Sequence, residues 1–584
     1  MKKIITFLTL TFSLVVKSQT PPICYNTGST VNSGLAPKNI IVFDANNDTH
    51  ADIAVANTNS GNITVHIGSG TGAFTLSQTI SFSASFVLCS GDFNSDGKAD
   101  IVASNNGTNG MVMLIGNGNG TFTTGTTFTV GYTPWGIKSA DFNNDGKLDL
   151  VTANYSSNNV TVRLGTGAGT FSAAVNYAVG AQPRNVVTMD INQDSNLDLA
   201  VTNYSTNTVS VLLGSPSGTF APAINYTVGA GPMGLETADF NMDTYPDLAV
   251  TSMTSVNMTI LLGTASGTFT TASTYPVGAQ PYSLVAKDMN NDSKPDLVVS
   301  CLNTQNTYTF RGNGDGTFSS ASTYSVGAGC YGVASADFDH NTYSDLVFAN
   351  SVNNNFRIIL NRPLPVISAT GGAICKGQTF TITPSGANTY TYSSGTAIVS
   401  PTTTTSYSVT GTNSFGCASA SAAVCVVTVN PLPDLLVIPS STLVCAGQTV
   451  TLTVAGADTY TWSNGSNANS IVVTPMVNET YTVSGKDTSM CTNTSIYNLV
   501  LNVCTGIETY GDIRKAIRIF PNPASAIVNI ESAKDQIVDI LNYSGEVVMK
   551  LKLKEGINEI SVQHLSAGIY LLNSQEGKIR FVKQ

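Results

Sequence analysis

Charge is scarce in this chain. Asp, Glu, Lys and Arg make up 11% of its 584 residues, with 26 basic residues against 36 acidic ones. No basic cluster stands out, so nothing supports a nucleic-acid partner. Long apolar runs are also missing: after the N-terminus no segment is apolar enough to cross a bilayer. The four histidines (His50, His66, His340 and His564) share no repeating partner, and none of the ten cysteines falls in a CxxC pair. Zinc and thioredoxin-like chemistry therefore have little support. GxSxG, HExxH, a phosphate-cradling glycine loop and a Cys–His nucleophile arrangement are all lacking. The chain is expected not to be an enzyme.

The first residues do carry a signal. Lys2 and Lys3 precede an apolar run from Ile4 to Val16, about 13 residues long. That is short for a membrane span and suits a secretory signal peptide, placed at 1–18. In an exported chain, cysteines are expected to pair at least in part.

Gly, Thr, Ser and Asn are plentiful, which suits short strands and many turns. The strands come in repeats. A nine-residue pattern of the form "DFNNDGKLD" starts at Asp44, Asp92, Asp141, Asp190, Asp239, Asp288 and Asp337, in steps of 48 and then 49 residues. A glycine turn, "GTGAGTF" or a relative, follows some 24 residues later, and "YAVGAQP" or a relative precedes the later copies. Each unit reads as four strands, placed in the third unit at about 136–140, 149–154, 159–164 and 170–178. Four strands in 49 residues is the period of a β-propeller blade. The seventh unit lacks a final strand, and residues after Gln19 are expected to supply it and close the ring.

The nine-residue pattern sets oxygen-bearing side chains at positions 1, 3, 5 and 9, as in the start of an EF-hand loop, but between strands. The candidate ligands are Asp44, Asn46, Asp48 and Asp52; Asp92, Asn94, Asp96 and Asp100; Asp141, Asn143, Asp145 and Asp149; Asp190, Asn192, Asp194 and Asp198. They continue with Asp239, Asn241, Asp243 and Asp247; Asp288, Asn290, Asp292 and Asp296; and Asp337, Asp339, Asn341 and Asp345. An all-oxygen donor set suits calcium before magnesium, so up to seven calcium ions are expected. Between residues 20 and 362 there are 23 acidic side chains, and all but Glu236 and Asp315 sit in these loops. Gly97 and Gly146 occupy position 6 where the other loops carry Thr or Ser, so the second and third sites are expected to bind best. The plainer alternative is that some loops are Asx-turn hairpins without metal.

These repeats resemble the FG-GAP/VCBS-type propellers, related to integrin α-subunit heads. The resemblance implies a seven-bladed, all-β propeller over 19–362 whose loops bind calcium within hairpins.

Six residues before each motif Asp the side chain varies: Lys38, Phe86, Trp135, Arg184, Met233, Tyr282 and Tyr331. This slot lies on the face opposite the calcium-type loops. A ring of such groups suits a glycan or a protein loop as ligand, with packing between blades as the alternative.

Beyond the propeller, "CKGQTFTITPSGANTYTYS" from Cys375 aligns with "CAGQTVTLTVAGADTYTWS" from Cys445. The two units, 363–430 and 431–505, resemble immunoglobulin-like or PKD-like sandwiches of secreted bacterial proteins, with Tyr392 and Trp462 expected in their cores. They read as spacers, with glycan binding as the alternative. Pairs Cys375–Cys417 and Cys445–Cys491 are expected, and Cys301–Cys330 as a tie between blades; Cys24, Cys89, Cys425 and Cys504 have no assignment. After a linker at 506–513, residues 514–584 turn basic and carry Pro521-Asn522-Pro523, Gly545 and Gly568-Ile569-Tyr570. This tail resembles the type A C-terminal sorting domain of the type IX secretion system of Bacteroidota, which implies that machinery as a partner and release or surface attachment.

The sequence thus points to a secreted or cell-surface, calcium-stabilised, non-catalytic adhesion or ligand-binding protein without a transmembrane segment. A polysaccharide-acting enzyme using the propeller face and a structural surface-layer component are the alternatives.

Overall fold

The computed structural model describes residues 23–26, 28–82, 85–105, 108–503, 517–575 and 577–584. The expected signal peptide, the 506–513 linker and Cys504 lie outside them. Every described regular element is a β-strand, and no helix is long and apolar enough to cross a membrane. The chain divides into two compact units, 1–429 and 430–584.

Seven antiparallel sheets of the first unit follow the 49-residue repeat. In the third blade the strands are Pro134–Ala140, Asp149–Asn154, Asn159–Arg163 and Val175–Ala178, paired in chain order. The second strand of this blade, DLVTAN, is buried at all six positions. A strand covered on both faces need not alternate apolar and polar residues, and its buried polar side chains are hydrogen-bonded: Asp149 accepts backbone N–H groups, Thr152 donates to Asn154, and Asn154 donates to Thr161. Seven apolar clusters form the core, one between each pair of neighbouring blades. Ile40, Ile53 and Val55 of the first blade pack with Phe338, Val347 and Phe356 of the seventh, which closes the ring.

The seventh blade is completed from the N-terminal side. Tyr25–Asn26 and Thr30–Asn32 both pair antiparallel with Asn355–Asn361. Gly28 lies between them so close to the partner strand that a Cβ would fall 1.4 Å from the Ile358 carbonyl oxygen. A glycine is required there by approach distance.

Two expected disulfides are corrected. Cys417 bonds to Cys24, across 393 residues of sequence. The edge strand Gly372–Cys375 is separated from Thr405–Thr412, which leads to Cys417, by Ala423–Asn430. A sulfur forms one disulfide, so the bond to Cys24 leaves Cys417 unavailable to Cys375. Cys375, Cys445 and Cys491 are each disulfide-bonded as well. Cys301 and Cys330 are buried free thiols. Cys301 shares a face of the sixth blade with Leu297 and Val299 toward the fifth; Cys330 packs with Val298 on the other face. The sheet stands between them.

The first sandwich module buries Ile382, Val399, Val409, Cys425 and Val427, with Tyr392 packed partly buried against them. In the second unit, Trp462 is buried between two three-stranded sheets and donates Nε1–H to the Ala468 carbonyl at 3.0 Å. The C-terminal domain pairs a three-stranded with a four-stranded sheet. Asn522 of its Pro-Asn-Pro turn accepts from Val582 N at 2.8 Å, and Tyr570 stacks on Phe581, so the turn and the last strands hold one another.

Candidate metal loops and channel mouth

The seven loops share one backbone. Residues at position 4 have φ between +56° and +64° and those at position 6 between +66° and +80°. Gly97 and Gly146 adopt this at no cost, whereas Thr49, Thr244 and Thr342 are held in it. The position-1 carboxylate explains the constraint: its Oδ2 accepts the position-6 N–H in every copy, at 2.7–2.9 Å. The two glycine loops therefore do not differ in shape from the rest.

Position 9 does a separate job. In all seven blades this Asp is fully buried. Its Oδ2 accepts the N–H of position 2, as from Phe142 to Asp149 at 2.8 Å. Its Oδ1 accepts from the residue sixteen further on, as from Gly165 at 2.7 Å. The carboxylate thus brackets the loop to the glycine turn after strand three. Burial, against the pull of these two donors, pushes Asp247 up to about 6 and Asp296 and Asp345 up to about 7; the loop carboxylates beside them add to the rise.

In one loop among the described residues, three carboxylates bring oxygens within 4.8 Å of one another: Asp337, Asp339 and Asp345. Asp339 stands where the other loops have Asn. Its side chain is 7% exposed and pairs through Oδ2 with Arg362, while Oδ1 is buried and accepts nothing. An unsatisfied buried carboxylate oxygen beside two further carboxylates is a donor set that a cation fits. Arg362 also lies 4.9 Å from the Phe415 ring of the first sandwich module, next to the Cys24–Cys417 bond.

At the opposite end of the first strands the structure gathers the variable slot. Lys38, Trp135, Arg184, Met233, Tyr282 and Tyr331 line one cavity of about 500 Å³, open solvent included. The Phe86 side chain lies outside the described residues. The Arg184 guanidinium sits 3.5 Å from the Trp135 ring centre, 4.3 Å from Tyr155 and 4.7 Å from Tyr204. Its Nε and Nη1 are buried without an acceptor, which costs about 1–3 kcal/mol for a buried donor. Burial lowers the pKa of both Arg184 and Lys38. Lys38 lies 5.1 Å over Tyr331, which meets Tyr282 edge to face at 4.8 Å.

A second cavity continues along the axis, lined by first strands of all seven blades, and Lys138, Glu236 and Lys287 face it. Burial raises the Glu236 pKa, and the two lysines pull it back. Sequence reasoning missed Tyr155, Tyr204, Lys138 and Lys287. The ring three residues before each motif Asp would have shown Lys138 and Glu236 among Ile41, Cys89, Val187, Val285 and Ala334.

Comparison with known proteins follows the same division. Residues 92–152, 141–201, 190–250, 243–299 and 288–348 match the FG-GAP-like repeat, and 518–584 match the secretion system C-terminal sorting domain. No curated protein matches the sequence. Similar solved structures include BBS1N in complex with ARL6DN, at 10% identity and TM-score 0.43, covering 57% of this chain and 96% of that one. A lectin from Agrocybe aegerita, described as recognising non-reducing terminal N-acetylglucosamine, matches at 16% identity and TM-score 0.39, with coverage of 57% and 96%. The periplasmic gluconolactonase PpgL of Pseudomonas aeruginosa matches at 13% and 0.41, with coverage of 52% and 97%. None of the three bears on ligand or chemistry. The sorting domain implies the type IX secretion machinery and indicates secretion or cell-surface attachment. The chain is an all-β protein of FG-GAP-like repeats, folded as seven propeller blades and ending in a type IX secretion C-terminal sorting domain.

Proposed function

We propose that the protein is a non-catalytic adhesion or capture protein: a calcium-braced propeller that takes a glycan or protein ligand at the mouth of its axial channel. One observation carries the reading. A slot that varies from blade to blade, in an otherwise regular repeat, lines a single cavity with aromatic and cationic side chains. Trp and Tyr give large contact area with a polar edge, the chemistry of adaptable recognition surfaces. The metal loops lie at the other end of the same strands, about 20 Å away. The ions would brace the blades from there and make no contact with the ligand. Calcium is the ion proposed, from hard oxygen donors in a loop that leaves coordination flexible. The two sandwich modules would act as spacers.

A glycan array probed with and without EDTA, beside chromatography of the incubated glycans, tests this. The expected result is binding that falls at least tenfold in Trp135→Ala at unchanged melting temperature. Release of oligosaccharide products would move the reading to a polysaccharide-acting enzyme. Binding that ignores the mouth substitutions would remove the site.

A further inference from the structure

Building on that reading, we infer that the mouth ligand is anionic, and specifically a saccharide bearing a carboxylate. The charges of the propeller are segregated. Of its 23 acidic residues 21 sit in the metal loops, while four of its 11 basic ones, Lys38, Lys138, Arg184 and Lys287, line the axial channel, where Glu236 is the one acidic side chain among the described lining residues. The described residues lining the mouth include no carboxylate at all. Metal ions in the loops would cancel the acidic end and leave the channel positive, so a steering field for anions would be strongest in the metal-loaded protein.

Arg184 is the centre of the site. Its guanidinium is enclosed by the Trp135, Tyr155 and Tyr204 rings, so it is held in place before any ligand arrives. Among the described residues it has no ion-pair partner, and its buried Nε and Nη1 have no acceptor. A guanidinium pre-set in this way offers a carboxylate charge-assisted N–H donation in a fixed direction. Around it stand the Tyr282 and Tyr331 rings and the neutral side chains Asn39, Asn185 and Ser283. Rings for sugar faces and amides and hydroxyls for sugar hydroxyls complete a site for a uronate or a similar acidic sugar. An acidic peptide would use the same guanidinium but has less need of so many flat aromatic faces, so it is the competing outcome.

The test uses the full chain with calcium and calorimetric titration of three probes: tri-galacturonate, the same trimer with its carboxyls reduced to alcohols, and an oligo-glutamate peptide. Sialyl-lactose, against lactose, serves as a second acidic-sugar pair. Binding of an acidic sugar should exceed that of its neutral counterpart by about tenfold to a hundredfold. It should weaken with added salt and fall by a similar factor in Arg184→Gln and, separately, in Lys38→Gln. Melting curves of both variants guard against misfolding. Equal binding of the neutral sugars, lost in Trp135→Ala, would overturn the anionic inference and leave the mouth site standing. Tighter binding of the peptide would overturn the saccharide assignment. No binding of any probe at the mouth would overturn the inference and count against the site itself.

Discussion

At the scale of single residues, the loops separate two roles that identical side chains hide. Asp149 spends both oxygens on backbone N–H groups and is fully buried, whereas Asp145 is an exposed side chain whose Oδ1 accepts from Lys147 N. Asp149→Asn replaces one acceptor by a donor facing a donor. It should cost roughly 2–4 kcal/mol by denaturant unfolding, and to the same extent in EDTA. Asp145→Asn should show its cost only with calcium present. Equal calcium dependence of the two would put position 9 among the principal ligands. Thr244, at φ +79°, gives the opposite sign. Thr244→Gly relieves a β-branched residue held in the left-handed region and should raise stability by about 1 kcal/mol, read as a shift in denaturant midpoint. This division was not legible in the sequence, because carboxylates free to take a metal and carboxylates that bracket a backbone are the same residue type in the same motif.

At the scale of elements, the seam between the first and seventh blades is where the ring closes. Blade number and the first three strands of the unit were legible because seven copies in fixed register leave one way to align them; the fourth, expected from about 170, starts at Val175, after an isolated Gly165–Phe171 bridge. The missing outer strand was legible for the same reason. The Cys24–Cys417 bond was not, since it joins the segment that enters the first blade to a module beyond the last. Gly28→Ala should drive a methyl into the Ile358 carbonyl. It should cost on the order of 2–3 kcal/mol, read by denaturant unfolding. An unchanged melting temperature would mean the splice is dispensable. The seam should also be acid-sensitive. His66 is buried with neither ring nitrogen hydrogen-bonded and meets Phe356 edge to face at 4.8 Å. Burial lowers its pKa to about 4, below its ordinary value of about 6.5. Its contribution is therefore whole above pH 6.5 and is lost as pH falls from there toward 4, by up to about 3 kcal/mol. His66→Phe, compared with the parent at equal calcium, should flatten the fall in melting temperature over that interval and leave pH 8 nearly unchanged.

At the scale of the whole molecule, the question is what holds a ring of seven sheets that carries 23 acidic and 11 basic side chains over residues 20–362. Without ions, the acidic loops repel one another around one end of the ring, and the cost grows as salt is removed. With ions, each loop gains about 1.4 kcal/mol at a free concentration ten times its dissociation constant. Seven such sites would supply roughly 10 kcal/mol to one closed ring. Chelation should then lower the melting temperature of the propeller by on the order of ten degrees. The loss should be larger at low ionic strength, reversed by calcium, and reversed poorly by magnesium, which demands tighter octahedral geometry. The seventh loop should behave apart. Arg362 already neutralises Asp339 there, so Arg362→Gln should tighten calcium at that loop while loosening the contact with Phe415. Calorimetric stoichiometry near seven in the parent would fit a brace in every blade. A melting temperature indifferent to chelator would leave the loops as hydrogen-bonded hairpins, with the shared backbone and the position-9 bracket as their whole contribution.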